Sequence, residues 1–200
     1  MPITPADAPA RPRGAARRDA LLDAVIQIVA EVGADAVTHR RVAEVAGLPL
    51  ASTTYWFDSK EHLLTAALER AADRDIARLR AFVAAASPDA ADPIELAVDA
   101  ILDPVDESGQ ASRGSLLATY ALLLEAARRP GLRAVTRRWT DAYLDALGGV
   151  LALAGSHAPE SDAALLLAAA DGLLVEELAS GAHADLRGQL CQLGAALVKA

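Results

Sequence analysis

Two hundred residues, 53% of them hydrophobic, suffice to bury a substantial core, either as one domain or as a small head on a larger body. The net charge of -8 speaks against a polyanionic partner for the chain as a whole, yet residues 11–60 carry seven basic side chains (Arg11, Arg13, Arg17, Arg18, Arg40, Arg41, Lys60) against six acidic ones. Residues 61–200 carry 12 basic and 20 acidic side chains, so an anion site belongs to the head or to nothing.

The single cysteine, Cys191, rules out an intrachain disulfide and reads as a small buried residue rather than a reactive thiol. The first ten residues lack the basic and apolar regions of a signal peptide. The longest apolar run, Ala163 to Ala170, is far too short to span a membrane, so a cytoplasmic, membrane-free protein is expected.

In chain order, prolines 2, 5, 9 and 12 predict a disordered arm over 1–12. Leu22, Val25, Ile26 and Val29 recur at helical spacing and predict a first helix over about 14–32, closed by Gly33. Thr38 is placed to cap a second helix over 38–45 with Val42, Ala43 and Ala46 inward. Gly47 then turns the chain, and Pro49 suits the first turn of a third helix over 49–56. Asp58 or Ser59 caps a longer fourth helix, whose apolar side is Leu64, Leu68, Leu79 and Phe82 and which runs toward the Ser87-Pro88-Asp89 break.

Further helices follow, separated at Pro104, Ser108-Gly109, Pro130-Gly131 and Gly155 to Pro159; no alternating Val, Ile or Thr run predicts a strand. Ala163 to Leu178 is apolar around nearly its whole circumference, which places it at the centre of the body or at a subunit interface. Leu186, Leu190, Leu193 and Leu197 stripe a last helix.

Two short helices joined at a glycine, with small Ala43 at their closest approach, have the anatomy of a helix-turn-helix. Leu48, Thr53 and Phe57 can face the core, which leaves hydroxyls and aromatic rings on the outside, with Lys60 one turn later. Residues 14–68, with Thr-His-Arg-Arg-Val-Ala-Glu-Val-Ala-Gly, a short third helix and Phe57-Asp58-Ser59-Lys60-Glu61 at matching spacing, resemble the DNA-binding head of the TetR family of bacterial transcriptional regulators.

The resemblance implies that Thr38 meets a phosphate at a helix N-terminus, with Arg40 as a second contact. It implies that Leu50, Ala51, Ser52 and Thr54 point into the major groove and that Tyr55, Trp56 and Lys60 hold the backbone. Core packing of Trp56 against the first helix, a half-buried surface position without a DNA role for Tyr55, and a capping role alone for Thr38 are the alternative readings. The family often carries tyrosine at the place of Thr54 and a small or basic pair in place of Leu50-Ala51, so readout here is expected to lean on Ser52, Thr54 and contacts to thymine methyls. The arginines from Arg11 to Arg18 read either as a solvated tail or as a minor-groove arm.

Other chemistry finds no support. His39, His62, His157 and His183 share no ligand spacing, so no metal or other cofactor is expected. Glu176 and Glu177 diverge by about 100 degrees around a helix and make a poor acid–base pair, and no phosphate loop or nucleophile elbow occurs, so the chain does not read as an enzyme.

The resulting expectation is an all-α fold: a helix-turn-helix head over 13–58, joined by a linking helix to a helical-bundle body over 59–200. The resemblance implies that the body holds a small-molecule effector and dimerises through the last two helices, about 160–180 and 183–198. Tyr120, Trp139 and Tyr143, with leucines from Leu116 to Leu124, are the candidate cavity wall, and core packing without ligand contact is the alternative reading for each aromatic. Arg128, Arg129, Arg133, Arg137 and Arg138 read as a solvated face, with an anionic ligand group held at one of them as the alternative. The function implied is that of a ligand-released repressor binding a near-palindromic operator as a homodimer. The alternative is a helical carrier or interaction protein whose helix-turn-helix is only scaffold.

Overall fold

Of the stripe predicted for the first helix, Leu22, Val25 and Val29 are almost solvent-free and Ile26 is half-buried, while Leu21 and Ile28 beside them are fully buried, in α1 (Arg13–Val32). The computed structural model describes residues 13–85, 92–102, 110–181 and 185–199. The expected arm, the breaks at Ser87-Pro88-Asp89, Pro104 and Ser108-Gly109, and His183 lie outside the described residues.

After a 3-10 turn at Ala34–Ala36 come α2 (His39–Val45) and α3 (Leu50–Trp56). Thr38 caps α2, its hydroxyl accepting the Arg41 backbone N–H at 3.2 Å. Gly47, at φ +63°, donates to the Glu44 carbonyl while Leu48 donates to that of Ala43. This paired closure of a helix end needs a left-handed residue, which glycine supplies without strain. Pro49 stands just before α3 rather than inside its first turn, because its ψ of 143° is extended. Ser59, not Asp58, caps α4 (Lys60–Ala85): its hydroxyl accepts the His62 N–H at 3.1 Å.

The body continues with α5 (Pro93–Leu102), α6 (Gln110–Arg128), a 3-10 turn at Pro130–Leu132, α7 (Arg133–Leu153), α8 (Pro159–Ser180) and α9 (Leu186–Val198). The described residues contain no strand, and the architecture is all-α as the sequence predicts. None of their helices is long and apolar enough to cross a membrane. Two apolar clusters organise the packing. One joins α1 and Phe57 to Leu63, Leu64 and Leu68 of α4, Leu122 of α6 and Trp139 of α7; the other joins α5 to α7, α8 and α9. The core of the head is therefore continuous with that of the body, because α1 lies against both α4 and α6.

The last two helices differ from each other. On α9, Leu186 and Leu190 are buried within the chain, and Gly194 comes so close to α5 that an added Cβ would lie 2.8 Å from Ile94 Cγ2. The apolar stripe of α9 thus covers its own subunit. The surplus lies on α8, where Leu165 and Val175 are about half exposed at 52% and 46%.

Four charged side chains fasten α1 to α4. Arg70 grips Asp23 with two parallel hydrogen bonds, Nε to Oδ1 at 2.9 Å and Nη2 to Oδ2 at 3.1 Å, and reaches Asp19 through Nη1 at 2.8 Å. Arg74 donates to the same two Asp23 oxygens at 2.6 and 3.2 Å. Burial alone would raise the Asp23 pKa, but the two guanidiniums outweigh it and hold the carboxyl below its ordinary range. Because the folded-state value is the lower one, this contribution to stability is present above the unfolded pKa of about 3.9 and fades as pH falls through the depressed value. Urea unfolding should therefore find Asp23→Asn less stable than the parent at neutral pH, with the gap closing in acid. A gap independent of pH would contradict the charge-based account.

Candidate functional site

The outer face of α3 is presented to solvent by residues that its inner face leaves free. Thr53 and Phe57 are buried, and Leu48 packs against the same core, which orients the helix. The opposite side then carries Leu50 (50% exposed), Ala51, Thr54 and Tyr55 (77% exposed), with Ser52 half-buried. The Thr54 hydroxyl donates within the helix to the Ala51 carbonyl at 3.3 Å, which leaves its lone pairs available outside. Thr38 and Arg40 are exposed at the start of α2. Arg40 pairs with Glu44 at 3.0 Å, an open i,i+4 pair of the kind worth little in water and readily exchanged.

Tyr55 and Trp56 take different surroundings. Their rings meet edge to face at a centroid distance of 5.0 Å, but Trp56 is half-buried and packs against the apolar core. Its ring also lies beside the start of α1, 3.6 Å from where a Gly14 side chain would begin. The packing reading describes Trp56 better than an outward one, because 100 degrees of helix rotation turn it from the face that Tyr55 occupies. Lys60 is likewise engaged inside the chain: its ammonium donates to the Asp35 carbonyl at 3.0 Å and ties α4 to the turn after α1. Arg18 lies over the Phe57 ring at 5.7 Å and belongs to the ordered head rather than to an arm.

The second feature is a cavity of about 460 Å³ between α1, α4, α5, α6, α7 and α8, within the size range of small-molecule sites. Tyr120, Trp139 and Tyr143, the aromatics singled out from sequence, all line it, together with Leu116, Leu122 and Leu123. Leu124, by contrast, is 68% exposed and points away from it.

Polar residues that the sequence reading did not select complete the wall. Asp75 of α4 accepts hydrogen bonds from the Trp139 indole N–H and the Tyr143 hydroxyl, each at 2.7 Å, and from Arg78 at 2.9 and 3.0 Å. Burial, and then the Asp75 charge, push the Tyr143 phenol far above its ordinary range, so it remains a neutral donor. Across the cavity, the Tyr120 hydroxyl donates to Asp171 of α8 at 3.0 Å. Burial raises the Asp171 pKa, with the Tyr120 hydrogen bond acting in the opposite direction.

Asp75 and Asp171 could not be found from sequence, since among 27 acidic residues nothing local marks the two that meet aromatic hydroxyls some fifty or more positions away. Of the arginines from Arg128 to Arg138, Arg128, Arg133, Arg137 and Arg138 are exposed, as a solvated face requires, and Arg129 is half-buried. Arg129 reaches the buried Glu125 at 2.7 Å, and Arg138 pairs with Asp73 at 2.8 Å. No group of three His, Cys, Asp or Glu side chains among the described residues is arranged to hold a metal ion.

Comparison with known proteins adds to this geometry. The family model described as Tetracyclin repressor-like, C-terminal domain matches residues 88–199. The chain is similar to the crystal structure of a transcriptional regulator from Rhodococcus sp. Rha1, at 26% identity over 90% of this chain and 95% of that one, with a TM-score of 0.77. It is similar to a TetR family member from Streptomyces coelicolor A3 at 31% identity, covering 88% of this chain and 97% of that one, with a TM-score of 0.69. The multidrug binding protein EbrR, complexed with ethidium, is 29% identical over 92% of this chain and 99% of that one, with a TM-score of 0.68. No protein of curated function matches the sequence.

The Asp75 cluster makes a stability prediction. Asp75→Asn removes the charge that three donors share and turns an amide N–H₂ toward them, at a cost of about 1–3 kcal/mol. Thermal or chemical unfolding measures it, and an unchanged midpoint would mean that the cluster relaxes freely.

Proposed function

The chain belongs to the TetR family of bacterial transcriptional regulators, and from that premise we propose that it is a repressor, acting in the cytoplasm as a homodimer that binds a near-palindromic DNA operator and leaves it when a small molecule enters the body. The observation that carries this reading is α4. Its first turns support the helix-turn-helix, and two turns later Arg74, Asp75 and Arg78 form part of the cavity wall.

In this reading residues 13–58 are the head. Leu50, Ala51, Ser52 and Thr54 face the major groove, Tyr55 and Arg40 meet phosphates, and Thr38 adds its hydroxyl beside the α2 N-terminus. Trp56 acts by seating α3 against the core, and Lys60 holds the turn after α1 unless DNA draws its ammonium away. The body over 59–200 binds the effector between Tyr120, Trp139 and Tyr143. Its likeness to EbrR, a multidrug binding protein, supports an aromatic small molecule as that effector.

The half-exposed Leu165 and Val175, an apolar face open to a cover, support dimerisation through α8 with α9 alongside. Two heads about one helical turn of DNA apart would then read the two half-sites. Effector binding favours a conformation in which that spacing is wrong, and a coupling of about 1–3 kcal/mol suffices to lower operator affinity roughly 5- to 150-fold. Arg74 links the two sites, since it lines the cavity and holds Asp23 of α1 at the same time.

Selection of bound duplexes from a randomised pool tests the reading, with a salt-sensitive, near-palindromic consensus expected; no preference for any duplex would defeat it. On the selected operator, replacing Ser52 and Thr54 together by alanine should cost about 1–3 kcal/mol of discrimination for each lost base contact. Tyr55→Ala should instead weaken all duplexes to a similar degree. The pair Leu165→Asp and Val175→Asp should sediment as a monomer and lose affinity for the full palindrome; a variant that stays dimeric would move the interface elsewhere.

A further inference from the structure

We infer that the cavity selects a ligand carrying a positive charge, with the Asp171 carboxylate as the group that recognises it. This deepens the proposed function and rests on reading the cavity as the effector chamber.

Four charged residues line the cavity: Arg74, Asp75 and Arg78 of α4, and Asp171 of α8. Three of them are satisfied within the protein. Arg74 uses both terminal nitrogens on Asp23, and Arg78 pairs with Asp75, which also receives the Trp139 and Tyr143 donors. Asp171 differs. Among the described residues it has no basic partner, and its hydrogen bond comes from the neutral Tyr120 hydroxyl, which reaches Oδ1 and leaves Oδ2 uncommitted. Asp171 is solvent-exposed, so water can meet that oxygen; a cation beside it adds an attraction that offsets the partial burial disfavouring its ionised form.

The remaining surfaces suit the same ligand class. The Trp139 N–H and the Tyr143 O–H are turned into Asp75, so these rings offer the chamber π faces and edges rather than donors. Aromatic faces attract cations, and more strongly where water is excluded. An anionic ligand would meet Asp171 with no uncommitted guanidinium facing it, since Arg74 and Arg78 are both held by carboxylates. A neutral ligand could at most donate a hydrogen bond to Oδ2, without the charge that strengthens such a contact.

Three tricyclic probes of one size separate these cases: N-methylacridinium, acridine at a pH where it is neutral, and acridine-9-carboxylate, each titrated into the full-length protein by fluorescence. The dimensionless ratio of cation to neutral affinity is expected to be about tenfold or more, as for a charge-assisted contact, with the anion weakest. Asp171→Asn should collapse that ratio toward one, and Asp171→Glu should restore most of it, with circular dichroism checking the fold of both. A ratio near or below one in the parent, or a ratio that survives in Asp171→Asn, overturns the inference while leaving the chamber in place if acridine binds. If none of the three probes binds, the reading of this cavity as an effector chamber falls, and this inference with it.

Discussion

The clamp of Arg70 and Arg74 on Asp23 is the interaction on which the rest of the arrangement depends. It joins α1, the helix that carries the core of the head, to α4, the helix that leaves the head and enters the body. Two guanidiniums on one carboxylate fix direction as well as distance, because parallel N–H bonds tolerate little rotation. With Leu63, Leu64 and Leu68 of α4 in the same apolar cluster as α1, head and upper body pack as a single unit. On the proposed reading, this shared packing is what lets a displacement of α4 reach the helix-turn-helix.

That constraint gives the cavity its position. Ile26 of α1, Arg74 and Asp75 of α4, and Trp139 and Tyr143 of α7 all reach its wall, so the space lies where the clamp, the head and the body meet. Its two carboxylates have opposite situations. Asp75 is enclosed by donors from two elements and acts as a structural hub that orients both rings of α7. Asp171, on the helix across the cavity, keeps an open oxygen. A fully satisfied polar cluster rigidifies a wall, whereas an incompletely satisfied one lowers its energy when a ligand completes it. On the proposed reading the chamber therefore has a fixed side attached to the head and a receptive side attached to α8.

The same helix α8 carries the exposed apolar face with Leu165 and Val175. Its residues divide among three environments: the internal core at Leu166 and Ala170, the cavity at Leu167, Asp171 and Leu174, and the outer face. This is the physical content of a helix apolar around its circumference, since a side chain there meets core, cavity or solvent according to its angle.

Much of the molecule was legible in the sequence because the determining interactions are local. Periodicity in Leu22, Val25 and Val29 specified α1, Thr38 and Gly47 specified the ends of α2, and burial of Thr53 and Phe57 left Thr54 and Tyr55 outside. The neighbours Tyr55 and Trp56 could not be assigned that way, because only the docking of α3 against α1 decides that Trp56 packs inward and Tyr55 does not. Lys60 bound to Asp35, the α9 stripe turned onto its own subunit, and the pairing of Asp75 with Trp139 and of Asp171 with Tyr120 were decided by tertiary structure alone. Short-range patterns fix helices and caps through steric and hydrogen-bonding rules spanning a few residues. A charged side chain's partner depends on which helices come to lie side by side, and no local spacing encodes that choice.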